Sequence, residues 1–325
     1  MTPLLELDEV HVWFDLDGGG TLHAVQGVSL SLRPGERVGL VGESGCGKST
    51  TVLAAIGLLP ANATVAGRVL LDGVDIMPGG ESSFRPHRWV DVAMVFQGAM
   101  NALNPVRTIG SQIVEALQLH GSSKGQETAR VKELLESVGI PAGRAGCYPH
   151  ELSGGMRQRA AIAMALSCNP RVLIADEPTT ALDVMVQAQI LELLDGLCRD
   201  FSLALAFVTH DLPIVTQLCD RAAVMYAGEI VEQGPVDALF HEPRHPYTRL
   251  LFAATPDLYG PTGEVVSIPG GPPRLDRPLV GCPFQPRCDS AFGRCAVERP
   301  ALNEVGGAHV AACHLNDVVL KGVSA

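Results

Sequence analysis

Apolar residues follow two rhythms along this chain. "ERVGLVGES", "RVLIADEP", "LALAFVTHD" and "AAVMYAGEIVEQG" are apolar over a few residues and stop at glycine or polar positions, which predicts short buried strands. Between them, "KSTTVLAAIGLL", "TARVKELLESVG", "GMRQRAAIAMALS" and "VMVQAQILELLDGLCRD" repeat their apolar residues at helical spacing. Strands alternating with helices predict an α/β fold around a largely parallel sheet covered on both faces. The N-terminal part differs, because "LLELDEVHVWFDLDGG" and "LHAVQGVSLSLRPGE" read as strands joined by a glycine turn, an antiparallel β layer ahead of the α/β core. Beyond about residue 234 the texture shifts to "GPVDALFHEPRHPYTRLL", then to the Gly/Pro-rich "IPGGPPRLDRP", then to a cysteine-bearing tail. The shift predicts a main domain over 1–235 and a smaller unit over 236–325, with no internal repeat.

Composition narrows the classes. A chain of 325 residues with 46% hydrophobic content can bury one large core plus a small appendage. The net charge of -11, with 4 Lys against 20 Arg and no basic run, argues against a nucleic-acid face, which needs clustered positive charge. No apolar stretch approaches the roughly 18 residues that span a bilayer. The opening "MTPLLELDEV" is acidic where a secretory signal is basic, so a cytoplasmic chain is expected. Nine cysteines, an odd number, in a reducing compartment disfavour a disulfide framework and suggest metal where they cluster.

The candidate chemistry starts at "GESGCGKST", which fits G-x-x-x-x-G-K-[ST] between an apolar strand and a helix, the setting that motif requires. Its glycines let backbone N–H groups curl around a phosphate, Lys48 offers charge to the β and γ oxygens, and Ser49 can ligate Mg²⁺. A glycine turn with a surface lysine is the bland alternative. "RVLIADEP" ends a strand in Asp176 and Glu177; strand alternation gives them different directions, so one can face a metal and the other a water, unless both are merely solvated. "ELSGGMRQR" sets Ser153, Gly154 and Gly155 at a helix N-terminus, either a second phosphate site or an ordinary N-cap. Two phosphate-type loops for one triphosphate suggest that a second copy of the fold completes the site.

The order of "GESGCGKST", "LSGGMRQR", "LIADEP", "TTALD" and "FVTHD" resembles the ATP-binding cassette (ABC) ATPases. That resemblance implies the P-loop ABC ATPase fold: a mixed-sheet core with an antiparallel β subdomain and an α-helical subdomain over about 98–160, here with a small C-terminal extension. It also implies residue roles. Phe14 is expected to stack on adenine, with Trp13 as the fallback. Gly42, Ser44, Gly45, Cys46, Gly47, Lys48, Ser49 and Thr50 are expected to hold ATP, and Ser49, Gln97 and Asp176 to hold Mg²⁺. Glu177 is expected as general base, His210 as the switch histidine on the γ-phosphate, Gln97 as the sensor of Mg²⁺ and water, and Asp183 as the D-loop aspartate. Ser153, Gly154, Gly155, Met156 and Gln158 would face the nucleotide of a partner cassette in a head-to-tail dimer. "TTALD" departs from the commoner "TSALD", a change expected to be silent. Cys46 inside the phosphate loop adds an expectation of sensitivity to thiol reagents.

One cassette with neither long coiled-coil insertions nor a second cassette fits an importer in which ATPase and channel are separate subunits. "MVFQGAMNALNPVRTIGSQI", "EPRHPYTRLL", "SIPGGPP" and "GCPFQPRC" resemble the ATPase subunits of oligopeptide and dipeptide importers, whose group includes nickel importers. The resemblance implies a second, related ATPase subunit as dimer partner, two transmembrane permease subunits, an extracytoplasmic substrate-binding protein and a place on the cytoplasmic face of the membrane. A nickel or oligosaccharide importer, or an ABC ATPase acting as an assembly factor, is the alternative. Cys282, Cys288, Cys295 and Cys313 stand as C-x5-C-x6-C-x17-C, without the tight pairs of zinc ribbons. Some members of the importer class that this sequence resembles carry iron–sulfur here, so a structural [4Fe–4S] cluster is expected in an extension with few aliphatic residues of its own. Zinc, with His309 or His314 as a possible ligand, and unligated thiols are the alternatives.

Overall fold

The computed structural model describes residues 2–99, 102–120, 125–180, 182–254 and 268–317. Met100, Asn101, Ala181 of "TTALD" and Ser267 of "SIPGGPP" lie outside the described residues. The chain forms two compact units, one of Met1–Leu5, Leu32–Arg37 and Ile76–Phe207, the other of Glu6–Ser31, Val38–Asp75 and Val208–Ala325.

The second unit holds an antiparallel layer and a longer run of sheet. Strands β1 (Leu5–Asp15), β2 (Thr21–Leu32), β4 (Ala63–Leu71) and β5 (Val74–Asp75) form the layer, in the order β2-β1-β4-β5. β3 (Arg37–Val41) pairs in parallel with β9 (Arg221–Tyr226), from Val38 opposite Arg221 to Val41 opposite Val224. β9 turns back into β10 (Glu229–Pro235), so the single apolar run read at "AAVMYAGEIVEQG" is two antiparallel strands. Ala227 at φ 51 and Gly228 at φ 86 make the turn. The extension continues this sheet: β12 (His309–Ala311) pairs antiparallel with β10, and β11 (Asn303–Gly306) with β12. The appendage thus borrows the edge of an existing sheet rather than building its own core. Helices α1 (Lys48–Ala55), α7 (Leu212–Leu218), α8 (Val236–His241), α9 (Pro246–Ala253) and α10 (Gly293–Val297) complete the unit.

The first unit is an α/β layer carrying a helical part. β6 (Val92–Val95) and β7 (Val172–Asp176) run parallel, from Val92 opposite Val172 to Val95 opposite Ala175. Every residue of β7 is buried, as expected for a strand covered on both faces. β8 (Ala204–Thr209), equally buried, begins in this unit. After the single turn α2 (Glu81–Phe84), helices α3 (Ile109–Leu119), α4 (Glu127–Ser137) and α5 (Gly154–Ala165) pack on one another through Ile113, Leu117, Leu134, Leu135 and Ile162. α6 (Val184–Phe201) buries Ile190, Leu194 and Leu197. Among the described residues, no helix is long and apolar enough to cross a membrane.

Candidate nucleotide site

The phosphate loop joins β3 to α1. Gly42 has φ 152, and a Cβ there would lie 2.2 Å from the Met225 carbonyl oxygen; Gly47 has φ 106, and its Cβ would lie 2.6 Å from the Ala24 carbonyl oxygen. Both positions therefore require glycine, for conformation and for space. Lys48 is only 6% exposed. Its Nζ donates to the carbonyls of Gly42 at 2.7 Å and Glu43 at 3.0 Å, which folds the lysine back along its own loop. No side chain caps α1, so its first N–H groups point out of the helix end, where an anion can accept from them. Ser44 and Gly45 are exposed on the loop, and Ser49 and Thr50 are part-buried in the first turn. Cys46 is buried at 2% exposure, and burial pushes its thiol pKa up. Burial and the raised pKa both disfavour the thiolate that reagents attack.

On β1, alternation separates the two aromatic candidates. Trp13 lies in a stack with His23, centroids 4.6 Å apart, and His11, 5.4 Å apart. Phe14, part-buried, points to the opposite face of the strand. His210 follows β8 and is exposed, and the Thr209 hydroxyl accepts the Asp211 amide at 2.9 Å just beyond it.

In the first unit, Asp176 ends β7 and is buried, while Glu177 turns away with φ 45, a left-handed backbone that is strained for a glutamate. Its Oε2 accepts from Gln97 Nε2 at 2.9 Å and from the Thr180 hydroxyl at 3.0 Å. The fold thus joins two of the predicted residues and adds Thr180, which the sequence reading passed over inside "TTALD". Ser153 caps α5, its Oγ accepting from the Met156 amide at 3.3 Å, and Asp183 caps α6, accepting from the Val186 amide at 2.9 Å. A Cβ on Gly155 would stand 2.6 Å from Val186 Cγ1, so that glycine lets the signature helix and the helix after the D-loop approach closely. Gly154 and Met156 are part-buried in the first turn of α5. Gln158 is 2% exposed and packs inside this unit instead of facing outward.

Cys282, Cys288, Cys295 and Cys313 line one small cavity together with His245, Phe284 and His314. Burial, reinforced by the neighbouring thiols, raises the pKa of Cys282 and takes that of Cys313 to about 11; for Cys288, burial and then Asp289 and Cys295 raise it. Among the described residues, no three His, Cys, Asp or Glu are placed to hold a metal ion. Both histidines of the zinc alternative have other partners: His309 Nε2 meets Glu232 Oε1 at 2.7 Å, and His314 Nε2 donates to the Glu298 carbonyl at 2.9 Å.

A glycine loop that grips a lysine, a strand ending in paired acids and a capped serine–glycine helix tip define a P-loop nucleotide-binding protein. Comparison with known proteins narrows this. The profile "ABC transporter" matches residues 25–180, and "Oligopeptide/dipeptide transporter, C-terminal region" matches residues 231–295. The chain is 48% identical to the probable peptide ABC transporter ATP-binding protein y4tR of Sinorhizobium fredii, covering 91% of this chain and 90% of that one. It is 46% identical to the dipeptide transport ATP-binding protein DppD of Escherichia coli, covering 96% of each chain. Among solved structures it resembles MJ0796, a bacterial ABC transporter cassette in dimeric form, with a TM-score of 0.64 and 28% identity over 71% of this chain and 98% of that one. The chain belongs to the ABC transporter ATP-binding family, in the branch carrying the oligopeptide/dipeptide C-terminal region. It is an ATPase of the cassette type.

Proposed function

We propose that this chain is the ATP-hydrolysing motor subunit of an importer for di- or oligopeptides. The observation that carries the reading is the union on one chain of an ABC cassette with the oligopeptide/dipeptide C-terminal region, at 46% identity to a dipeptide transport ATP-binding protein. The phosphate loop and α1 N-terminus hold the triphosphate, with Lys48 compensating its charge and Phe14 against the adenine. Ser49 hydroxyl, Asp176 carboxylate and Gln97 amide oxygen are hard oxygen donors of the kind Mg²⁺ prefers; they would hold the ion, which would supply charge to the phosphate oxygens. Glu177 takes the proton of the attacking water, its carboxylate oriented by Gln97 and Thr180, and His210 serves the γ-phosphate. Ser153, Gly154, Gly155 and Met156 face the nucleotide of a partner cassette, with Asp183 at the same interface. ATP then closes the dimer and hydrolysis releases it. The partner is a second, related ATPase subunit, and two permease subunits hold the pair at the cytoplasmic face of the membrane.

The assembled transporter in proteoliposomes is expected to hydrolyse ATP faster when its binding protein carries a di- or oligopeptide. Stimulation by a nickel chelate or an oligosaccharide alone would reassign the cargo, and no coupling to any cargo would remove the transporter reading.

The cysteine cavity supports a second part of the proposal, a [4Fe–4S] cluster. A cubane bonds each of its irons to one thiolate, so it needs thiols spread around a core, whereas zinc needs them converged on one ion. The thiol pKa values of Cys282, Cys288 and Cys313 are raised, so a cation among them would be needed to hold them as thiolates, and cross-linking there would fasten a segment with little core of its own. Anaerobically purified protein is expected to be brown, with broad absorbance near about 400 nm. Colourless protein with stoichiometric zinc would contradict the cluster.

A further inference from the structure

Glu43 is the second residue of the phosphate loop, a negative charge carried by the very loop that must hold a triphosphate. Residues of the C-terminal extension meet it within the same unit. Arg287 reaches it with both ends of the guanidinium, Nη1 to Oε2 at 2.7 Å and Nη2 to Oε1 at 2.9 Å. The arginine side chain is only 5% exposed. Its Nε donates to the Pro269 carbonyl at 2.7 Å and its Nη1 also reaches the Tyr226 hydroxyl at 3.3 Å, while the rings of Tyr226 and Phe284 lie 5.7 and 5.8 Å from its central carbon. The fork therefore has little freedom to point elsewhere. A second contact holds the backbone: the Glu43 amide donates to the hydroxyl of the fully buried Tyr247 at 2.9 Å. The carbonyl of this same residue accepts from Lys48 Nζ at 3.0 Å.

We propose that Arg287 and Tyr247 are positioning residues of the ATP site: Arg287 neutralises and fixes the Glu43 carboxylate, Tyr247 fixes its amide, and together they set the carbonyls that aim Lys48. Without Arg287, a poorly solvated carboxylate would repel the triphosphate and compete with it for the Lys48 ammonium. The extension is then a working part of the nucleotide site. Cys288 follows Arg287 directly, so one short turn, Gln285–Arg287, serves both the thiol cavity and the phosphate loop.

The inference rests on the phosphate loop binding ATP, and nucleotide titration of the full-length chain separates the two. Arg287→Met is expected to weaken ATP binding about tenfold, the loss typical of one charged hydrogen-bonded pair. In the assembled transporter it should raise KM with a much smaller change in kcat. Adding Glu43→Gln should return affinity to within about threefold of the parent chain, because no charge is left to neutralise. A purely structural role for Arg287 gives no such rescue. Should Arg287→Met not fold, Arg287→Lys takes its place; it keeps the charge and loses the fork, and about threefold weaker binding is expected. Wild-type affinity in a folded Arg287 variant, or an unrescued loss in the folded double variant, overturns the proposal. Failure of the unmodified chain to bind ATP would instead remove the ATPase reading.

Discussion

Glu177 combines a strained backbone, φ 45, with a carboxylate held by two neutral donors, Gln97 and Thr180. A carboxylate fixed in this way is held in one orientation, which suits a base that must meet a water at a set angle. Thr180→Val removes the threonine donor while keeping the shape. We expect kcat to fall about tenfold with KM for ATP near its original value, the worth of one hydrogen bond to a charged group. Steady-state kinetics check it, and an unchanged kcat would mean that the Thr180 hydrogen bond does not orient the base. The phosphate loop and the acid pair were legible in the sequence because their spacing is dictated by the ligand. Thr180 was not, since a threonine beside a turn has no periodic or spacing signal. The left-handed Glu177 was equally hidden, because glycine is the residue that usually advertises such a backbone.

Among the elements, the strands β1, β2, β3, β7 and β8 and the helices α1, α4, α5 and α6 followed from apolar pattern, whereas β4 and β6 did not. The helix Ile109–Leu119 carries that period at Ile109, Ile113, Ala116 and Leu117, yet Gly110 interrupts the pattern, and only the helical subdomain implied by the family resemblance covers it. The hairpin of β9 and β10 was read as one strand because its turn, Ala227 and Gly228, sits inside a continuous apolar run. Least legible was the way the extension is fastened, which depends on a buried acid. Glu232 on β10 is fully buried and accepts from the Arg244 amide at 2.6 Å and the His245 amide at 2.9 Å, and it also meets His309 of β12. One carboxylate thus ties the last cassette strand to the "HPYT" segment and to the added hairpin. Glu232→Ala strands the buried His245 amide, the part-buried Arg244 amide and a histidine, at a cost of about 3 kcal/mol or more. Thermal unfolding should show a lower Tm, with Val310 and Ala311 amides losing hydrogen-exchange protection. Unchanged protection there would mean that backbone pairing alone holds the hairpin.

For the molecule as a whole, the family comparison agrees with the order of the motifs. The nucleotide site itself says nothing of the cargo, because it handles only ATP, and the peptide class is inferred from the C-terminal region. The central claim is that Glu177 activates the water that cleaves ATP, so that hydrolysis, and not binding, reopens the dimer. ATPase turnover and nucleotide occupancy of the assembled transporter carrying Glu177→Gln measure this directly. The expected result is ATP bound as in the parent complex, turnover down by about 100-fold or more, and cassettes trapped closed on unhydrolysed ATP. Turnover near that of the parent complex would contradict it.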